Sequence, residues 1–292
     1  MSLQGFDPAE FHPLQQWEVT ENLLYHYTSP ATLAKILDSG NIRLGPYSRT
    51  NDPREYKEWV PLFTMPSGHG RPPERYLHSS EEEEEAVHEA TDRFLRRGAR
   101  LACFSTDRPP PEGPYTGTFF HRGWARARMW EQYGSHHTGA CLVFGMEELG
   151  KLVEQHIRLG NGDILIFDKV TYRDEALIIR LPRPEVVDRG IGAVLDDYVL
   201  RRKAIENLYL VKNSDWESEQ EFRIVYVKWN ACDKELVDPV LIPFGKSLKW
   251  IVLGEHFPES ERSVIKYRSG LPVETGMLAC EWHSGAPMLL GN

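Results

Sequence analysis

The segment WESEQEFRIVYV, residues 216–227, limits the possible folds of this chain more than any other stretch. Its second half alternates apolar and polar residues, the pattern of a β-strand. Side chains two apart in a strand share a face, about 6.6–6.8 Å apart along the chain. Glu219, Glu221 and Arg223 are therefore expected on one face, while Phe222, Ile224 and Val225 carry the segment into a core. Two carboxylates and a guanidinium on a buried strand are costly unless they are paired or used. The plain structural alternative is an edge strand with a solvated charge ladder.

The rest of the chain supplies short elements in mixed order. LLYHY reads as a strand with His26 near its end. A helix follows, with Ser29 as N-cap, Pro30 in the first helical position and Gly40 closing the C-terminus. Ser80 and Glu83 match a capping box, so the run Glu81–Glu85 opens a helix that ends near Arg93, Arg96 and Arg97. Strands are expected at 101–105, 140–144, 164–172, 221–229, 248–253 and 272–282. Helices are expected at 124–133, at 194–210 and after Pro258. Residues 60–79 and 108–118 are rich in Pro and Gly and are expected to be loops, the second a mobile lid. The order lacks regular β-α-β alternation and no domain boundary stands out. The expected fold is α+β, with a mixed, mostly antiparallel split sheet flanked by helices, in a single domain over 1–292.

Composition excludes several classes. The formal charge of −9 argues against strong electrostatic nucleic-acid binding. No apolar run approaches the ~20 residues that span a bilayer, and the first residues lack a secretory pattern. Cys103, Cys141, Cys232 and Cys280 form no C-x-x-C pair, and no Cys/His set has ligand spacing, so a reduced, metal-free, cytoplasmic protein is expected. Phosphate-cradling glycine loops and nucleophile-elbow, zinc-protease and dinucleotide fingerprints are all missing from the sequence. Further signals are LYHYTS, CFSTD with Ser105 at a strand end, RTNDPREY with its turn-forming Asn-Asp-Pro, and MWEQYGSHHTGACLVF, whose aromatic residues read as core.

Taken in order, LYHYTS, TNDPREY, ACFSTD, MWEQYG with GACLVF, WESEQEFRI and LKWIVLGEHF resemble the bacterial domain-of-unknown-function family numbered two-nine-seven-one, over about residues 22–270. The Pro-rich insertion after Asp107 departs from it. HYTSPATLAKILDSG also resembles the opening of ADP-ribosyltransferases. In that superfamily a first-strand histidine, a strand ending in a hydroxyl residue and a late glutamate strand follow in order. The matching positions are His26, Ser105 and Glu219-x-Glu221. The resemblance implies NAD as substrate, with an acceptor that is a protein or a nucleic acid. Glu221 would steady an oxocarbenium-like ribose and Glu219 would orient or deprotonate the acceptor. His26 would bind the adenine-side ribose, Ser105 would place the nicotinamide side, Tyr27 would stack on nicotinamide and Arg49 would meet the pyrophosphate. Arg223 would keep the two acids apart. This reading requires His26, Ser105 and Glu221 to meet in one pocket. The alternatives are a magnesium-dependent phosphodiesterase or nuclease using Asp52, Glu219 and Glu221, or a non-catalytic sensor or binding module.

Overall fold

The computed structural model describes residues 12–15, 22–65, 72–112, 119–229, 231–232, 235–236 and 238–291. It is a mixed α/β structure built on a ten-stranded sheet. The strands are β1 (Leu23–Thr28), β2 (Asn41–Pro46), β3 (Ala99–Ser105), β4 (Ala140–Gly145) and β5 (Ile164–Lys169), then β6 (Glu221–Val227), β7 (Val240–Pro243), β8 (Leu248–Leu253), β9 (Gly276–His283) and β10 (Ala286–Gly291). All pairings in this sheet are antiparallel except β8 with β9.

The sheet forks at β3. One edge of β3 pairs along its whole length with β6. The other edge is shared: β1 meets it only at Tyr25–Ser105, and β2 meets it at Gly45–Leu101 and Pro46–Arg100. Between Ser105 and Leu101 the strands β1 and β2 part, joined by helix α1 (Pro30–Ser39). Helix α1 forms as its sequence dictates. The Ser29 side chain accepts from the Thr32 amide, Pro30 opens the helix, and Gly40 ends it at φ 65°.

Eight further α-helices are described: α2 (Pro53–Tyr56), α3 (Glu81–Thr91), α4 (Ala127–Gln132), α5 (Met146–His156), α6 (Arg183–Arg189), α7 (Ile191–Val199), α8 (Arg202–Tyr209) and α9 (Glu259–Ile265). One sheet face packs on α1, α5 and α9 through Leu33, Leu37, Leu149, Val153 and Ile265. The opposite face carries two clusters. Val87, Leu195 and Leu208 cover Leu101, Val225 and Val227. Trp124, Met129 and Trp130 cover Tyr25, Tyr27 and Val143. Between these two clusters the same face carries Ser105, Glu221 and Arg223, so the polar site lies in a seam between apolar patches.

Several sequence expectations need correction. The span 194–210 is two helices, broken at Arg201 in extended conformation (φ −87°, ψ 102°). The span 124–133 is a 3-10 turn and then α4, separated by Arg126, whose buried guanidinium holds the Glu219 carbonyl at 2.7 Å. The strand expected to run from 164 to 172 stops at Lys169, and Thr171–Tyr172 pairs separately with Val211–Lys212. The 60–79 loop contains a short strand, Leu62–Thr64, paired with Arg180–Pro182, and a 3-10 turn at Glu74–Tyr76; residues 66–71 lie outside the described residues. Of the expected lid at 108–118, residues 113–118 lie outside them too. Among the described residues no helix is long and apolar enough to cross a membrane.

The capping box at Ser80 forms in both directions. Ser80→Ala is expected to lower stability by about 1 kcal/mol, read as a shift in urea midpoint.

Candidate functional site

Glu221 begins β6 and lies in register with Ser105 of β3, which lies in register with Tyr25 of β1. Glu219 reaches the same place by a different route from the one its spacing suggested. It is the last residue of a 3-10 turn, Ser214–Glu219, and not part of the strand. Gln220 adopts the left-handed conformation (φ 47°, ψ 54°), which redirects the chain between turn and strand. Left-handed backbone is unfavourable for a residue with a Cβ. Here tertiary bonds hold it: the Glu219 carbonyl accepts from Ser105 Oγ at 2.8 Å and from Arg126 at 2.7 Å, and the Gln220 carbonyl accepts from the Thr106 amide at 2.9 Å.

The two carboxylates share a cation that sequence reading missed. Lys212 Nζ lies 2.7 Å from Glu219 Oε2 and 3.1 Å from Glu221 Oε2, over the Trp216 ring. Lys212, not Arg223, therefore keeps the two acids apart. Arg223 is fully buried and donates to both oxygens of Glu221 at 2.8 and 3.1 Å, to Glu55 Oε1, and to the Tyr209 carbonyl at 2.7 Å. Glu219 Oε1 accepts from Tyr133 Oη at 2.7 Å, and Tyr133 accepts from Asn51 Nδ2 at 2.6 Å. The result is a continuous chain from half-buried Tyr133 through buried Glu219, Lys212, Glu221, Arg223 and Glu55. Burial opposes ionisation of Glu221, but Arg223 and Lys212 outweigh it and hold the carboxyl down at about 2. Burial would also lower Lys212, yet Glu221 and Glu219 raise it above the usual lysine range. Both stay charged at neutral pH.

His26 reaches the site through the fork. Alternation along β1 puts Tyr25 and Tyr27 on the face of Ser105 and Glu221, and His26 on the other. The strands separate next to it, and the His26 ring fills the gap, with Nδ1 3.0 Å from the Cys103 carbonyl. A carbonyl only accepts, so Nδ1 carries the proton. Burial lowers the His26 pKa, so the ring is neutral and Nε2 remains an acceptor. Burial pushes the Cys103 thiol up, which removes it as a nucleophile at neutral pH.

One cavity of about 290 Å³ is lined by all six sequence-predicted site residues, His26, Tyr27, Arg49, Ser105, Glu219 and Glu221, together with Glu55, Asn51, Tyr133 and Lys212. Their parts in it differ. Arg49 is exposed. Ser105 spends its hydroxyl on the Glu219 backbone and so positions the acid. Tyr27 donates to the Gly123 carbonyl at 2.6 Å and packs edge-on against Trp130, which makes it a floor residue and not a free stacking platform. Asp52 does not join Glu219 and Glu221: it caps α2 by accepting from the Arg54 amide and lines a neighbouring hollow. The acid that its segment delivers to the cavity is Glu55, three residues on. Among the described residues no group of three or more His, Cys, Asp or Glu side chains is placed to hold a metal ion.

A family model described as "Protein of unknown function (DUF2971)" matches residues 129–224. This supports the resemblance to that unknown-function family. The matched stretch contains Tyr133, Lys212, Glu219, Glu221 and Arg223, while His26, Arg49, Glu55 and Ser105 lie before it. No curated protein and no solved structure gives a significant match.

Proposed function

We propose that this cavity cleaves the nicotinamide–ribose bond of NAD, passing ADP-ribose to an acceptor or to water. The observation that carries the reading is Glu221: a buried carboxylate, held ionised, on the wall of a cavity it shares with His26 and Ser105. Rupture of a ribose–nitrogen bond passes through an oxocarbenium-like state, as in glycoside hydrolysis. A fixed negative charge beside the ribose favours that state, and a carboxylate oxygen can also hold the 2′-hydroxyl. The neutral His26 ring offers Nε2 as acceptor for a second ribose hydroxyl. Arg49, exposed at the cavity, supplies charge for the pyrophosphate. Asp52, which the magnesium alternative would use, lines the other hollow.

The direct experiment follows nicotinamide release from NAD by the purified protein, with water and with a panel of protein and nucleic-acid acceptors. Release above the uncatalysed rate is expected, together with a rise in melting temperature when NAD is added. Absence of both overturns the reading and favours a non-catalytic binding module.

A further inference from the structure

We propose that Glu55, not Glu219, is the base that takes the proton from the acceptor in this reaction. The inference rests on the NAD reading and concerns the same cavity. Glu219 is poorly placed for the role: each of its oxygens already accepts a hydrogen bond, from Tyr133 and from Lys212. Glu55 is 1% exposed and lines the same cavity. Its Oε1 accepts from Arg223, but Oε2 is buried with no hydrogen-bond partner among the described residues. An orphaned buried carboxylate oxygen is unfavourable. A ligand hydroxyl or amine N–H would satisfy it.

The groups facing Glu55 agree with this assignment. Arg223, Lys212 and Arg54 are the cations around it, and Glu221, Tyr47 and Cys103 are the acidic groups. Burial and Glu221 together outweigh Arg223 and Lys212, so the Glu55 carboxyl is raised above the ordinary range. A carboxylate with a raised pKa is a better base. In the step, the acceptor X–H adds through X to the ribose C1′. The bond from C1′ to the nicotinamide nitrogen breaks, and its electron pair neutralises the pyridinium. The X–H proton moves to Glu55 Oε2 and is given up after the products leave. With water as X–H, the products are ADP-ribose, nicotinamide and a proton.

The test compares wild type, Glu55→Gln and Glu55→Ala in NAD hydrolysis across pH, alongside NAD affinity by calorimetry. Glu55→Gln is expected to lose about 10²–10⁴-fold in kcat while still binding NAD. Activity of the wild type should rise with pH through the Glu55 titration, because the base works deprotonated. That rising limb should vanish in Glu55→Gln, and formate should partly restore Glu55→Ala. Should either variant fail to fold, Glu55→Asp keeps a charge beside Arg223 while withdrawing the carboxylate, and the same loss is expected. Wild-type turnover with equal turnover by Glu55→Gln overturns the Glu55 assignment alone. So does a loss that formate leaves untouched with the pH limb intact. No nicotinamide release by the wild type overturns this assignment and the NAD reading together.

Discussion

Glu221→Gln is expected to lower the rate of nicotinamide release by about 10²–10³-fold while NAD affinity stays near wild type. The amide keeps the size of the side chain and removes only its charge. That charge is fully developed at neutral pH, since Arg223 and Lys212 hold the carboxyl at about 2 against the effect of burial. The buried chain contains Glu55, Glu219 and Glu221 against Lys212 and Arg223, so with every group ionised one negative charge is in excess. The substitution cancels that excess and leaves nothing to favour a cationic ribose. A preorganised electrostatic contact of this kind is worth roughly 3–4 kcal/mol in the transition state. The loss should therefore fall on kcat and not on binding. The fold should survive, because Arg223 keeps Glu55 and Lys212 keeps Glu219. The stability cost is that of lost charged hydrogen bonds, about 1.5–3 kcal/mol. The sign of its pH dependence follows from the depressed pKa. The Glu221 contribution is present above the ordinary carboxylate range and fades as pH falls toward about 2. Wild-type and variant urea midpoints should converge in acid. Turnover by Glu221→Gln equal to wild type would remove Glu221 from the chemistry.

How much of this was legible in the sequence depends on whether the cause was local. The caps of α1 are set by neighbours three or four residues away, and Ser29, Pro30 and Gly40 announce them. The charged face of WESEQEF was visible because period-two alternation is local. Strand spacing places Glu219 in the site, but it arrives through the left-handed Gln220, a conformation that no Gly or Asn signals. Lys212 was missed because its place is set by the pairing of Tyr172 with Lys212 and by partners beyond the next turn. Glu55 and Tyr133 lay in segments already singled out, as a turn and as core, and only their distant partners reveal their use. The break at Arg201 carries neither Gly nor Pro, so an unbroken helical period concealed it. The final strand β10 was likewise missed. Its Met288 and Leu290 are exposed, and the turn before it puts Ser284 and Gly285 at positive φ.

Arg223→Met is expected to have the largest effect on stability of any single change in the site, about 3–5 kcal/mol. Arg223 is fully buried, and its removal takes the only cation among the described residues in hydrogen-bond contact with Glu55 and the closer of the two such cations on Glu221. Both carboxyls would then titrate at higher pH than in the wild type. A raised carboxyl pKa in the folded state costs nothing while the group is protonated, and the cost grows as pH rises through that pKa. The urea midpoint of Arg223→Met should therefore lie far below wild type at neutral pH and approach it in acid. A gap that stayed constant with pH would assign the loss to packing alone. A combined variant separates structure from function. If Arg223→Met is joined by Glu55→Leu and Glu221→Leu, the buried charges disappear together and apolar contacts replace them. Such replacements are often neutral or stabilising. The triple variant should regain most of the stability that Arg223→Met lost, while nicotinamide release stays abolished. A chain that folds as well without these charges would keep them for the chemistry of the cavity. If the triple variant is no more stable than Arg223→Met, the network is holding the fork of the sheet together, and its role is structural.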